Sequence, residues 1–189
     1  MTTIVCWREW EGEGLEHCAA RFADDGLTLE GVVAGTQEGL YGAHYKLRTD
    51  AAFRTREVRV AFVGGPVLHL EADGEGHWHD AAEGRQLPEL DGAVDIDIRV
   101  TPATNTLPIR RLGFGIGDSH EIAVAYVPLP DAAGGGLRPR RVAQRYTRLP
   151  GEGVYRYEGL DSGFSADIEV DAAGLVVDYP GVFRRLRRP

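Results

Sequence analysis

Short runs in which apolar and polar side chains alternate recur from one end of the chain to the other, each broken by Gly, Pro or Asp. Alternation places the apolar residues on one face of an extended chain, so the pattern predicts half-buried β-strands rather than helices. Strands are expected at 4–10, 27–33, 41–48, 55–63, 67–72, 76–80, 94–100 and 110–116, then at 121–127, 142–148, 154–158, 164–170 and 175–178. Gly117, Asp118 and Ser119 read as the hairpin turn into 121–127, and 18–23 reads as either strand or a helical turn. The strictest alternation is VDIDIRV. Val94, Ile96, Ile98 and Val100 share one face; Asp95, Asp97, Arg99 and Thr101 share the other. Burial of each aliphatic is worth roughly 1.5–3 kcal/mol, and a one-residue slip would carry carboxylates and a guanidinium inward instead. This run is therefore expected to be a central strand. The following TPATNTLP (101–108) carries two prolines and reads as a loop, tied to its own backbone by threonine hydroxyls and by Asn105, the only asparagine of the chain.

So many short strands, with almost no amphipathic helix, predict an all-β fold: a single antiparallel β-barrel or strongly curved half-barrel with an internal cavity. An open sheet of this width would have two edges to protect, which favours closure or near-closure. At 189 residues the chain is expected to form one domain, 1–189. Three segments interrupt the meander: a polar loop at 81–92, a connection at 131–141 with three consecutive glycines that is expected to be the most mobile, and the tail FRRLRRP.

The net charge of −8 argues against non-specific nucleic-acid binding. The acids are concentrated before residue 101 and the later residues are close to neutral. No basic leader, cleavage site or long apolar run occurs, which predicts a cytoplasmic protein whose Cys6 and Cys18 are reduced thiols. If free, the arginine tail would make weak contact with anionic membrane surfaces, at about 1 kcal/mol for each basic residue. Docking of the tail onto the barrel through Val182, Phe183 and Leu186 is favoured over that.

Candidate chemistry is sparse. Asp95-Ile-Asp97 has the DxD spacing that holds divalent cations in sugar-nucleotide transferases, but Arg99 on the same face offers an internal partner, and Asp97–Arg99 is expected to be a structural pair. His77 and His79 share a strand face and would need a third ligand to hold a metal, whereas a solvated face with Trp78 inward requires nothing further. Ser119 and His120 are adjacent on a strand and point oppositely, so they do not make a nucleophile–base pair. The glycines of 113–117 precede no helix and do not form a dinucleotide loop. No metal, cofactor or catalytic residue is assigned.

Several stretches match one known family in order: VDIDIRVTPATNTLPIRR, YKLRTDAAFRTREVRV (45–60), GHWHD (76–80), AYVPLP (125–130), QRYTRL (144–149), YRYE (155–158) and VDAAGLVVDYPGVFRR (170–185). Together they resemble the bacterial family named "putative glycolipid-binding", over nearly the whole chain. The resemblance implies a β-barrel-like fold likened to the carriers of outer-membrane lipoproteins, and non-catalytic binding of a lipid-like or glycolipid ligand in a barrel cavity. Strand faces that are charged at one end and apolar at the other suit an amphiphile, and on that reading Arg54, Arg56, Arg110 and Arg111 hold the head group while Tyr146, Tyr157 and Asn105 add hydroxyl and amide contacts. Two alternatives stay open: an enzyme using Asp and Arg groups in the cavity, and a structural or interaction protein with a filled barrel.

Overall fold

Residues 1–130 and 136–186 are described by the structure, a computed structural model. The first five residues of the expected mobile connection, 131–135, and the last three of the arginine tail lie outside the described residues.

The chain builds one sheet of 15 strands. Eight form a first antiparallel meander: β1 (Thr2–Glu9), β2 (Leu15–Ala23), β3 (Gly26–Gly35), β4 (Tyr41–Thr49), β5 (Thr55–Phe62), β6 (Val67–Ala72), β7 (Trp78–Asp80) and β8 (Arg85–Gln86). After β9 (Asp95–Ile98) and a short helix α1 (Thr106–Leu112) a second meander follows: β10 (Ser119–Val127), β11 (Arg140–Arg148), β12 (Val154–Gly159), β13 (Phe164–Val170), β14 (Val176–Tyr179) and β15 (Phe183–Arg185). The two halves meet where β15 pairs antiparallel with β1, so the terminal strands lie side by side at the middle of the sheet and β8 and β9 form its edges. The sheet is strongly curved and not closed. Residues 87–94 cross between the two edges. Leu87 and Gly92 donate their N–H groups to the carbonyls of Trp78 and Gly76 at 2.9 and 3.0 Å, Thr55 N–H reaches Val94 O at 3.3 Å, and the Trp78 indole donates to Ala93 O at 2.7 Å.

Most of the strands expected from alternation are present, and three differences matter. First, 94–100 is not a central strand. β9 lies at an edge and pairs parallel with β10. Second, 110–116 is not a strand. The chain makes a 3-10 turn at Ala103–Asn105 and continues as α1. Pro108 sits in the first turn of α1, where its missing N–H would have had no helical partner, and Gly113, at φ 61°, ends the helix in the left-handed conformation. Third, the tail contributes β15, and Leu186 N–H donates to Cys6 O at 2.8 Å. The Arg184 guanidinium lies 3.9 Å from the Trp10 ring centroid, and Arg185 pairs with Asp171 at 2.7 Å, so these two arginines are held by the folded chain. Cys6 and Cys18 are free, and their positions on β1 and β2 are not opposite one another.

The segment after β9 turns into the concave side of the sheet. Thr101 to Ile109 are all buried, and Leu107 and Ile109 join one hydrophobic cluster with Leu29, Leu47, Val58 and Leu70 of the first meander. Three side-chain anchors hold the insertion. Thr101 donates to Glu16 Oε1 on β2 at 2.7 Å, Thr106 donates to Gly174 O at 2.9 Å, and Arg111 pairs with the buried Asp95 at 2.5 Å. Glu16 Oε1 also accepts from Tyr45 at 2.5 Å, while Oε2 has no partner among the described residues. Burial pushes the Glu16 carboxyl up to about 8, against the pull of the Tyr45 and Thr101 donors.

Two outcomes follow from the insertion. Leu107→Ala, at a fully buried site, is expected to lower stability by about 2–5 kcal/mol in urea unfolding. The folded chain retains a proton on Glu16 that the unfolded chain releases near 4.5, so this group lowers stability as pH rises from there to about 8, and not further above it. Glu16→Gln keeps an acceptor and cannot ionise. Its urea midpoint is therefore expected to gain on that of the parent between pH 5 and pH 9; a constant offset would show that Glu16 is ionised when folded.

Candidate functional site

The insertion fills the space in front of the first meander and leaves a cavity of about 540 Å³ in front of the second. Its floor is polar. Gln144 on β11 donates to Asp97 Oδ2 at 2.6 Å, and Thr104, from the turn before α1, donates to Asp97 Oδ1 at 3.4 Å. Tyr146 donates to Asn105 Oδ1 at 2.8 Å, and the Asn105 amide donates to Pro102 O at 3.0 Å. Burial raises the Asp97 carboxyl above its usual range, opposed by Gln144, Thr104 and the charge of Arg99. Asp97 is half-buried and lines the cavity, so its carboxylate can serve as an acceptor there.

The wall is aromatic. Tyr157 on β12 packs edge-on against Tyr146 (centroids 5.4 Å) and Tyr179 on β14 (5.8 Å), and Phe164 on β13 lies 6.1 Å from both Tyr157 and Tyr179. Tyr157, Phe164 and Tyr179 all line the cavity. The hydroxyls of Tyr157 and Tyr179 make no hydrogen bond to another described residue. Burial holds both phenols above their ordinary range, so they remain protonated donors.

The mouth lies at one end of the sheet. Arg99, just past β9, is paired there with Glu38 of the β3–β4 loop at 2.9 Å. Arg140, whose guanidinium lies 5.2 Å from the Tyr126 ring centroid, Arg141, Asp161 and Ser162 complete the rim. Among the described residues neither Arg140 nor Arg141 has an ion-pair partner.

Of the residues expected from sequence to bind a ligand, Asn105 and Tyr157 line the cavity and Tyr146 lies in the network beneath it. Arg54, Arg56, Arg110 and Arg111 are not brought to it. Arg54 bonds Asp50 at 2.9 Å and also Glu75, and Arg56, at the start of β5, lies 3.7 Å from Asp50, all at the other end of the sheet. Arg110 is exposed at the end of α1 with its guanidinium 5.1 Å from the Phe53 ring centroid, and Arg111 is taken up by Asp95. The expected Asp97–Arg99 pair is not formed. Arg99 turns to Glu38, because same-face neighbours on a strand stand about 7 Å apart while Glu38 and Gln144 are each within hydrogen-bond reach of their partners. Sequence reading missed Gln144 and Phe164 and did not single out Tyr179 among the seven tyrosines. Gln144 and Phe164 fall in the expected strands 142–148 and 164–170, and Tyr179 one residue past 175–178, so alternation alone hinted at an inward face.

Among the described residues no three His, Cys, Asp or Glu side chains converge to hold a metal ion, and no helix is long and apolar enough to cross a membrane. His77 pairs with Asp73 at 2.6 Å, and Trp78 points inward beside it.

A family model described as "Putative glycolipid-binding" matches residues 4–185. A crystal structure of a DUF1089 family protein from Pseudomonas aeruginosa is similar to the chain, with 43% sequence identity, 93% of each chain covered and a TM-score of 0.77. No curated protein matches it.

Proposed function

Because the chain belongs to the family described as "Putative glycolipid-binding", we propose that it binds the sugar head of a glycolipid in this cavity, without covalent chemistry. The observation that carries the reading is the pair of buried tyrosines, Tyr157 and Tyr179, whose hydroxyls have no protein partner among the described residues and which line a cavity floored by Asp97. Neither hydroxyl is sealed from the cavity, so both are open to a ligand, and a ligand hydroxyl that takes the place of water there with good geometry gains a net hydrogen bond. Sugars offer hydroxyls that both donate and accept, and apolar C–H faces that pack on aromatic rings such as Tyr157 and Phe164. Asp97 supplies acceptors, while Arg140 and Arg141 at the mouth supply donors suited to a hydroxyl-rich or anionic group.

Size refines the reading. At roughly 30 Å³ for a water-sized group, a volume of about 540 Å³ admits about eighteen such groups. A hexose fits with room to spare, because its bonded atoms pack closer than separate waters. A few methylenes can follow it to the mouth, and two long acyl chains cannot. The amphiphile is therefore oriented with its sugar inward and its chains outward, the reverse of a carrier that swallows the tail.

Titration calorimetry with n-octyl and methyl glucosides below their micellar concentrations tests this. Both are expected to bind, with affinity rising over the first few methylenes of the alkyl chain and then levelling. Tyr157→Phe combined with Tyr179→Phe keeps the rings and removes the hydroxyls, and is expected to weaken binding about tenfold or more with the urea midpoint unchanged. Affinity that the double variant retains in full, or that grows with every added methylene, would refute a sugar-inward site.

A further inference from the structure

The end of the sheet at which the cavity opens also carries the exposed aliphatics Leu40 and Val63, with 90% and 86% of their surface in solvent. They sit on adjacent loops, β3–β4 and β5–β6, tied together by the bond from Val63 N–H to Gly42 O at 2.9 Å. The first loop is held in place, because the buried Glu9 accepts the N–H groups of Thr36 and Gln37 at 2.8 and 3.3 Å and Glu38 pairs with Arg99 of the cavity rim. Leu40 is thus presented to solvent by a fixed scaffold. On the second half of the same end, Phe164 is 40% exposed and lines the cavity.

We infer that this end docks against the surface of a lipid bilayer, with Leu40 and Val63 entering the interface so that the cavity mouth faces the head groups. The inference rests on the sugar-inward reading. A glycolipid whose head is in the cavity and whose chains do not fit must leave those chains in the bilayer, which sets the mouth at the membrane plane. Aliphatic side chains at loop tips beside that mouth are what such a position requires. Acidic Glu11, Glu13, Glu38 and Asp161 are interspersed at this end with basic Arg99, Arg140 and Arg141. Apolar insertion rather than charge therefore drives the contact, and it does not depend on anionic lipid.

Flotation of the full chain with phosphatidylcholine vesicles, with and without a minor fraction of a monoglucosyl diacylglycerol, tests this. Binding to both is expected, tighter with the glycolipid and little weakened by high salt. Leu40→Ser combined with Val63→Ser is expected to lower vesicle partitioning about tenfold or more while methyl glucoside affinity stays at the parent value. Ile116→Ser, an exposed aliphatic in the loop before β10, serves as the control and is expected to change neither. Absence of vesicle binding, equal partitioning by the double variant, or concentration-dependent self-association that the double variant abolishes would each overturn the inference. Failure of the sugar site reads out separately, as lost glucoside binding with vesicle binding intact.

Discussion

Everything inside this curved sheet is arranged around the burial of nine consecutive residues, Thr101 to Ile109. A buried stretch of chain must find partners for every backbone N–H and C=O, or pay for each that is left alone. The two prolines remove two donors, and the 3-10 turn and α1 use most of the rest internally. What remains is fixed by side chains reaching to both halves of the sheet: Thr101 to Glu16 in the first meander, Thr106 to Gly174 in the second, and Arg111 to the edge strand β9. The curved sheet and the plug that it surrounds are therefore one cooperative unit.

That insertion also decides where a ligand can go. Leu107 and Ile109 occupy the interior against the aliphatics of the first meander. The space in front of the second meander is bounded by the polar side of the insertion, Thr101 and Asn105, and by the tyrosines of the facing strands. The cavity is thus polar at depth and aromatic and aliphatic on its wall. One end of the sheet is occupied by the 50–54 and 93–94 segments and by Arg110 against Phe53, while the other holds the mouth.

Much of the fold was legible in the order of residues. Alternation such as that of 164–170, or of VLHLEA at 67–72, marks a strand because the period of two follows from the backbone alone, whatever lies opposite. The family was legible for a related reason: the motifs that carry it are contiguous. The candidate site was legible only in part. Asn105 and Tyr157 were within reach because a lone asparagine between prolines and a tyrosine on an alternating strand are local signals.

The rest was decided by partners far away in the chain. RRLGFGI (110–116) reads as an alternating strand, yet its first three residues end a helix, because burying Leu107 and Ile109 under the sheet outweighs the local preference of so short a segment. VDIDIRV reads as a central strand, yet alternation reports a half-buried strand and not its place in the sheet; α1 and Arg111, not a neighbouring strand, cover Asp95. Arginine is the clearest case. Its place on a strand face says only that the guanidinium must find an anion. Whether that anion is Asp50, Glu38 or Asp95 depends on segments 4 to 61 residues away, and only the folded chain brings those within the few ångströms over which the choice is made.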